Sequence, residues 1–294
     1  MKAKRFARLR LVFLCFFGLF VVVPILFTLV NSFSTGTAYS LLPQQWSLAG
    51  WFEVFLRRPH YLVKFWNSLF LSAAIVAGQT LVSSLAGYAF SKFRFPGREA
   101  LFFIVIIVMV MPYQVTLVSN YFVIRELGLM GSWAALIIPS IFSPFGVFLL
   151  RQVFDTCPDD LLDAARIDGA GHLTILFRIL LPRSRAGVVS LVILTFVDAW
   201  NMVEQPLVYL DSSYDYPLSV FLSQMNGQDV GVLCVCGILA ALPVLLLFLY
   251  YDQDLADGIS LSQIHCHIFK RGSSRALRPQ ARVGGQPGRK ARLL

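Results

Sequence analysis

Residues 163–182 read D-A-A-R-I-D-G-A-G-H-L-T-I-L-F-R-I-L-L-P and lie in the longest charged loop of a chain that is otherwise strongly apolar. Just ahead of this stretch, the loop carries the signals that begin a helix. Pro158 suits the first helical position, and Thr156 or Cys157 is the expected cap before it. Two aspartates follow Pro158 in the first turn, where the helix dipole favours negative charge. A short helix is therefore predicted to begin at Pro158.

The same helix has an equally clear end and a face suited to a partner. Arg166 falls in its last turn, and Gly169 stands where a left-handed C-terminal residue belongs. Ala164 and Ala165 form a small-residue patch that would let another surface approach the backbone. Asp163 beside them offers a charge to a basic group. We interpret this short helix as a docking element.

The composition of the chain indicates the solvent that surrounds it. Of 294 residues, 57% are hydrophobic and only 14% are charged, with 26 Phe and a mean hydropathy of +0.69. One soluble core cannot bury that much apolar surface, so the chain is expected to be embedded in lipid. Each crossing needs about 20 apolar residues. Six segments come close to that length: 9–30, 69–90, 100–121, 133–150, 187–206 and 231–251.

The distribution of Lys and Arg predicts the orientation of these segments. With the N-terminus in the cytoplasm, 21 of the 25 Lys and Arg residues fall on the inner side. The four outer ones are Arg57, Arg58, Lys64 and Arg125. The positive-inside rule then places both termini and the loop 151–186 in the cytoplasm. This bias accounts for the net charge of +9, and no nucleic acid is expected as a partner.

The loop stretch resembles the cytoplasmic coupling motif of binding-protein-dependent ABC importer permeases, which reads E-A-A, three residues, Gly, nine residues and I-x-L-P. The matching positions, all at the family's spacing, are Asp163, Ala164, Ala165, Gly169, Ile179, Leu181 and Pro182. Two positions depart from the pattern. Asp163 replaces the usual Glu, and Ala186 stands where proline is common.

Further matches lie outside the loop. They are W-N-S-L at 66–69, A-G-Y-A-F-S-K at 86–92, M-P-Y-Q at 111–114, F-L-L-R-Q at 148–152 and W-N at 200–201. Together these motifs are similar to those of the carbohydrate-type permeases, over roughly residues 5–260. That branch imports oligosaccharides, sugar alcohols and glycerol phosphates.

This resemblance implies an all-α polytopic membrane protein with six transmembrane helices and the type I ABC importer permease fold. The chain would form half of a translocation pathway beside a second homologous permease subunit. An ATP-binding cassette ATPase dimer would bind the cytoplasmic loop, and an extracytoplasmic solute-binding protein would deliver a small sugar-like substrate. The residues implied in ATPase coupling are Asp163, Ala164, Ala165, Arg166, Asp168, Gly169 and Pro182.

No enzymatic motif accompanies these features. The sequence contains no G-x-x-x-x-G-K-[ST] for nucleotide phosphates, no H-E-x-x-H and no G-x-S-x-G. We therefore expect no catalytic residues and no cofactor bound by this chain, with ATP and Mg²⁺ on the partner ATPase. The five cysteines and the H-C-H at 265–267 lack zinc-ligand spacing, so neither a metal site nor a disulfide is predicted.

Polar side chains inside the predicted spans mark a candidate pathway for solute. Asp198, Asn201 and Glu204 are spaced three apart on the fifth segment, so they would form one stripe of a continuous helix. Tyr113 and Gln114 follow a proline break in the third segment. An uncompensated acid in hydrocarbon costs roughly 2.5–3.5 kcal/mol, so these side chains should face a polar cavity or a partner. The alternatives to substrate contact are helix–helix contact for Asn201 and exposure at the outer surface for Glu204.

One membrane domain is predicted over residues 1–269, followed by a basic, disordered cytoplasmic tail at 270–294. The expected location is the bacterial inner membrane, crossed several times. We predict a permease subunit of an ATP-driven sugar-type importer. The alternatives are an ABC permease for another solute class, such as a polyamine, an amino acid or glycerol phosphate, and a secondary transporter that couples ions through Asp198.

Overall fold

The structure is a computed structural model that describes residues 2–35, 45–58, 60–225 and 229–251. The described residues are almost entirely helical. The principal helices are α1 (Lys2–Asn31), α2 (His60–Lys92), α3 (Arg98–Val110), α4 (Tyr113–Glu126), α5 (Ala134–Ile141), α6 (Pro144–Asp155), α7 (Asp159–Ile167), α8 (His172–Arg183), α9 (Arg185–Trp200), α10 (Glu204–Tyr209), α11 (Leu218–Ser223) and α12 (Val230–Tyr251). A short helix, Ala49–Phe52, and a π-helical turn, Glu53–Arg57, precede α2. The predicted tail at 270–294 and the H-C-H at 265–267 lie outside the described residues.

Among the described residues, four stretches are long and apolar enough to cross a membrane. They are Arg10–Asn31 within α1, the whole of α2, Ala134–Asp155 comprising α5 and α6, and α12. Two further candidates are bent pairs, α3 with α4 at 105° and α8 with α9 at 85°. The described residues therefore confirm the all-helical class. They give six crossings only if each bent pair counts as one span.

The bend between α3 and α4 lies at Met111 and Pro112. Proline has no backbone N–H and disfavours the helical conformation of the residue before it. Met111 accordingly has φ −66° and ψ 130°, which is extended backbone, and Pro112 has ψ 132°. The predicted segment 100–121 is therefore divided at its proline break, and Tyr113 begins a separate helix.

The predicted fifth segment, 187–206, also divides. α9 ends at Trp200, and α10 begins at Glu204. Asp198 and Glu204 therefore lie on different helices, with Asn201 in the turn between them. The predicted continuous stripe is wrong because the helix ends before it reaches two of the three residues.

Pro206 explains this second break. In a continuous helix its ring would clash with the carbonyl of Met202, and it has no N–H to donate to that carbonyl. Ser219 Oγ donates to the Met202 carbonyl instead, at 2.6 Å. A side chain from α11 thus satisfies the backbone group that the helix leaves free.

α2 packs most extensively against α6. Gly87 lies against Leu150 and Arg151, and a Cβ there would be 3.0 Å from the Cβ of Leu150. At Gly146 a Cβ would overlap the hydroxyl of Ser83. Small residues at these positions let the two helices approach closely, which is how helices associate where lipid removes the hydrophobic drive. The α2–α6 pair forms a tightly packed support for the loop that follows α6.

Candidate functional site

The loop helix α7 begins one residue later than predicted and without a side-chain cap. Pro158 occupies the cap position, with φ −60° and ψ 137°, and Asp159 is the first helical residue. The predicted caps, Thr156 and Cys157, make no capping hydrogen bond. Thr156 Oγ1 instead donates to the carbonyl of Val153 at 2.7 Å, in the last turn of α6. The cap prediction is wrong because the hydroxyl is engaged by the preceding helix.

The C-terminal end of α7 confirms the predicted role of glycine. Gly169 has φ +82°, which is left-handed backbone. The N–H of Ala170 donates to the carbonyl of Ala165 at 2.9 Å, and the N–H of Gly169 donates to that of Arg166 at 3.0 Å. These two bonds are the Schellman motif, which satisfies the last carbonyls of a helix.

One face of α7 is anchored in the protein, and the opposite face is open. Leu162 and Ala165 are buried in a cluster whose other members come from α2, α6, α8 and α9. That cluster contains Tyr88, Leu150, Phe154, Cys157, Leu162, Ala165, Ile175, Leu176, Leu180 and Leu191. Ala164 is exposed whereas Ala165 is buried, so the predicted surface patch of two alanines is wrong. Adjacent residues point about 100° apart on a helix, which sends one alanine inward and one outward.

The open face of α7 and the turn beyond it carry the residues implied in coupling. Exposed side chains there are Asp163, Ala164, Arg166, Ile167 and Asp168, and Pro182 in α8 is exposed as well. Asp163 Oδ1 accepts from Arg166 Nη1 at 2.7 Å, three residues along the same helix. Ile167 is 88% exposed, although it is one of the most apolar residue types. No atom lies within 4 Å of the position that a Cβ on Gly169 would take.

A buried cation ties the start of α7 to the end of α2. Lys92 Nζ donates to the carbonyl of Cys157 at 2.7 Å and to Asp159 Oδ1 at 2.8 Å, while only 6% of its side chain is exposed. The hydrogen bond and the charge of Lys92 lower the pKa of the Asp159 carboxyl below its ordinary value. Sequence reasoning placed Lys92 in a matching motif but gave it no role, because its partners lie more than sixty residues away.

A separate cavity of about 530 Å³ lies among α2, α3, α4, α5, α6, α9 and α10. Its polar lining consists of Gln79, Tyr113, Thr116, Asn120, Ser140, Ser143, Thr195, Asp198, Gln205 and Tyr209. Two of the five predicted pathway residues, Tyr113 and Asp198, are therefore brought together. Two helix breaks position them, since Tyr113 opens α4 and Asp198 lies in the last turn of α9.

The other three predicted pathway residues do not line this cavity. Gln114 Nε2 donates to Glu204 Oε2 at 3.4 Å, which pairs α4 with α10. Asn201 Nδ2 donates to the carbonyl of Val197 at 2.9 Å, in its own preceding turn. Of the members that sequence reasoning missed, Thr195 had a visible signal, because it stands three residues before Asp198 on the same helical face.

Among the described residues, no group of three or more His, Cys, Asp or Glu side chains is placed to hold a metal ion.

Tyr209, which is 1% exposed, connects two walls of the cavity, since its hydroxyl lies 3.4 Å from both the Tyr113 hydroxyl and the Leu117 carbonyl. The cavity therefore offers hydroxyl, amide and carboxylate groups suited to hydrogen bonding with a solute.

Comparison with known proteins gives a consistent result. Residues 79–253 match the family described as "binding-protein-dependent transport system inner membrane component". The arabinooligosaccharides transport system permease protein AraQ of Halalkalibacterium halodurans is 28% identical over 85% of this chain and 93% of its own length. The sn-glycerol-3-phosphate transport system permease protein UgpE of Brucella abortus is 29% identical over 81% of this chain and 90% of its own. A bacterial ABC transporter involved in the import of the acidic polysaccharide alginate shares the fold, with a TM-score of 0.76 at 21% identity, covering 85% of this chain and 96% of the compared chain.

Proposed function

Because this chain belongs to the family of binding-protein-dependent transport system inner membrane components, we propose that it is a permease subunit of an ATP-driven importer of sugar-type solutes. The proposal draws on the relatives named for arabinooligosaccharides and sn-glycerol 3-phosphate. The family consists of transport components and not enzymes, so ATP and Mg²⁺ are assigned to a separate ATPase. A second, homologous permease would complete the pathway, and an extracytoplasmic binding protein would deliver the solute.

The open face of α7 is the proposed contact with the ATPase. The observation that carries this assignment is Ile167, which is 88% exposed beside the Asp163–Arg166 pair. Burying an isoleucine side chain is worth about 1.5–3 kcal/mol, so a partner that covers it gains binding energy. The other coupling residues surround that contact or lie beyond it in the same loop; they are Asp163, Ala164, Arg166, Asp168, Gly169 and Pro182. Ala165 would act from the inner face, by fixing α7 to the spans.

The buried face of α7 accounts for how movement would reach the membrane. Leu162 and Ala165 lock the helix into a cluster shared with α2, α6, α8 and α9, and Lys92 holds its first residue. A displacement of α7 by the ATPase would therefore move these helices as a unit. We expect this motion to alternate the access of the pathway between the two sides of the membrane. The cavity that contains Tyr113 and Asp198 is the proposed share of the pathway contributed by this chain.

We further propose one membrane domain over residues 1–269, with the tail at 270–294 appended to it. The loop 151–186 and both termini would face the cytoplasm of a bacterial cell, and the chain would reside in the inner membrane. The charge distribution supports this arrangement, since 21 of 25 Lys and Arg residues fall on the inner side.

Replacing Ile167 with aspartate tests the proposed ATPase contact. In cells that co-express both permeases and the ATPase, Ile167→Asp should abolish ATPase co-purification and ATP-dependent uptake, while the permease remains in the membrane. Leu48→Asp is the matched control. Leu48 is also a large aliphatic side chain that is 53% exposed, but it lies before α2 and outside the loop 151–186. Retention of the ATPase by Ile167→Asp would contradict the assignment.

A further inference from the structure

The cavity contains one carboxyl group, that of Asp198, with no cationic side chain among the described lining residues. Asp198 is exposed to the space, and within the described part of the chain it makes no hydrogen bond and no ion pair. No Lys, Arg or His is among the described lining residues. Lys64, a second buried cation of α2, is not available to it, since its ammonium donates to the carbonyls of Ser213 and Tyr214. Among the described lining residues, Asp198 is therefore the one with an ionisable acidic side chain, and the carboxylate of Glu204, which accepts from Gln114, lies outside the lining.

The rest of the polar lining is neutral and positioned to form hydrogen bonds. Gln79 and Thr195 are 6% and 4% exposed, and Thr195 Oγ1 has no hydrogen-bond partner among the described residues. Buried polar atoms normally find a partner, so this hydroxyl is a candidate contact for a bound molecule. Amides and hydroxyls pair well with the hydroxyls of a polyol, whereas a phosphate or uronate requires cationic donors.

We infer that this cavity accepts an uncharged, polyhydroxylated solute and excludes anionic ones, with Asp198 setting the charge preference. The inference rests on the proposed function and narrows it. One of the relatives is named for an anion, sn-glycerol 3-phosphate, and the other for neutral arabinooligosaccharides. Like charges a few ångströms apart repel, so an ionised Asp198 disfavours the first class.

Thiol chemistry measures the charge of the cavity without knowledge of the natural solute. Ser143 lines the cavity, and Ser143→Cys introduces a thiol of similar size. In the assembled transporter we would compare its modification rates with cationic trimethylammonioethyl and anionic sulfonatoethyl methanethiosulfonate, after subtracting the signal of the chain without the added cysteine. The ratio of cationic to anionic rates should exceed that of free 2-mercaptoethanol, an uncharged thiol, by about tenfold, since one nearby charge supplies at least that factor.

Removing the carboxylate should abolish this preference. Asp198→Asn is expected to return the rate ratio to within about twofold of that of 2-mercaptoethanol, because Asp198 is the acidic side chain among the described lining residues. Glu126→Gln, which removes an acid of α4 outside the cavity lining, should leave the ratio unchanged. A wild-type ratio equal to that of 2-mercaptoethanol, or a ratio that survives Asp198→Asn, would overturn the inference. If Asp198→Asn did not assemble, the wild-type ratio at Ser143→Cys compared with that at Leu48→Cys would decide.

A second measurement uses solutes directly. Proteoliposomes that contain the assembled importer and its binding protein would be offered arabinotriose, lactose, sn-glycerol 3-phosphate, an alginate trisaccharide and spermidine. ATP-dependent uptake confined to the neutral sugars is the expected result. Uptake of an anion or of spermidine at a comparable rate would overturn the inference. Failure to import any probe would count against the proposed function instead, and the thiol rates would still determine the charge of the cavity.

Discussion

Arg151 of α6 holds Glu99 of α3 through one terminal nitrogen, with Nη2 at 3.0 Å from both carboxylate oxygens. The guanidinium carbon lies 3.7 Å from the centre of the Phe102 ring, and Arg151 as a whole is only 9% exposed. The Glu99 side chain, in contrast, is 65% exposed. The two members of this ion pair are therefore in very different environments, and their removal should have unequal effects.

We predict that Glu99→Gln destabilises the purified permease more than Arg151→Met does. Glu99→Gln leaves the buried guanidinium of Arg151 without its main counter-charge. An unpaired charge costs more free energy when it is buried than when it is exposed to water. Arg151→Met leaves a carboxylate that water already solvates. Thermal unfolding in one detergent, with wild type alongside, measures the order. Equal loss, or a larger loss for Arg151→Met, would contradict this reading.

A second prediction concerns the buried Lys92 anchor. Lys92→Met should leave the ATPase bound to the open face of α7 but lower solute uptake at least severalfold, because the start of α7 is no longer fixed to α2. Asp159→Asn should have a milder effect, since the carbonyl of Cys157 still holds the ammonium. ATPase co-purification and uptake are measured on the same membranes. Loss of both in parallel would indicate a folding defect.

The same pair predicts a pH dependence for the attachment of α7. Lys92 lowers the pKa of Asp159 in the folded state, so the pair's stabilisation is complete above the ordinary carboxyl pKa of 3.8. It is lost as the pH falls through the lowered, folded-state value. Proteolysis of the loop 151–186 should therefore stay slow at pH 5 and be no faster than at pH 7. Asp159→Asn removes any acid dependence from this pair.

The left-handed backbone of Gly169 gives a further prediction. Gly169→Val strains the Schellman turn by roughly 1–2 kcal/mol and adds bulk at the proposed ATPase contact. Uptake should be abolished while the protein still inserts. Gly171→Val is the matched control, because Gly171 lies in the same loop with φ −71° and has equally open space around it. Normal uptake by Gly169→Val with the ATPase bound would remove the coupling role from this turn.

Asp163 should matter to the complex and not to the isolated permease. Its pair with Arg166 is exposed, and such pairs contribute only about 0–1 kcal/mol, so Asp163→Ala should barely change thermal stability. If the ATPase covers this carboxylate, truncating it costs about 2–5 kcal/mol of binding free energy, so ATPase co-purification should fall. Asp163→Glu retains the charge and should restore binding. Unchanged co-purification by Asp163→Ala would argue against a contact here.

The proposed orientation is tested by labelling two exposed positions. Ile167→Cys and Leu48→Cys are 88% and 53% exposed as the native side chains. A membrane-impermeant maleimide should label Leu48→Cys in intact spheroplasts and label Ile167→Cys only after permeabilisation. Ser184, in the same loop, is a poorer reporter because it is buried. Labelling of Ile167→Cys from outside would reverse the assigned topology.

The amino-acid sequence by itself determined the features that depend on composition and on neighbours along the chain. Its apolar content predicted a membrane protein. Arg166 and Gly169 predicted where α7 ends, because a Schellman turn involves only residues within one helical turn of each other. The resemblance of residues 163–182 to the family motif was likewise recognisable from the residue types and their spacing alone.

Contacts between distant segments were decided only by the tertiary structure. Pro112 signalled a break, but its 105° angle depends on what the helices pack against. The break before Pro206, which separates Asp198 from Glu204, was not predicted from the sequence. The Lys92–Asp159 bond and the meeting of Tyr113 with Asp198 likewise join helices that are remote in sequence. Burial also separated Ala165 from Ala164, since side-chain periodicity gives two faces but only packing selects which one is covered.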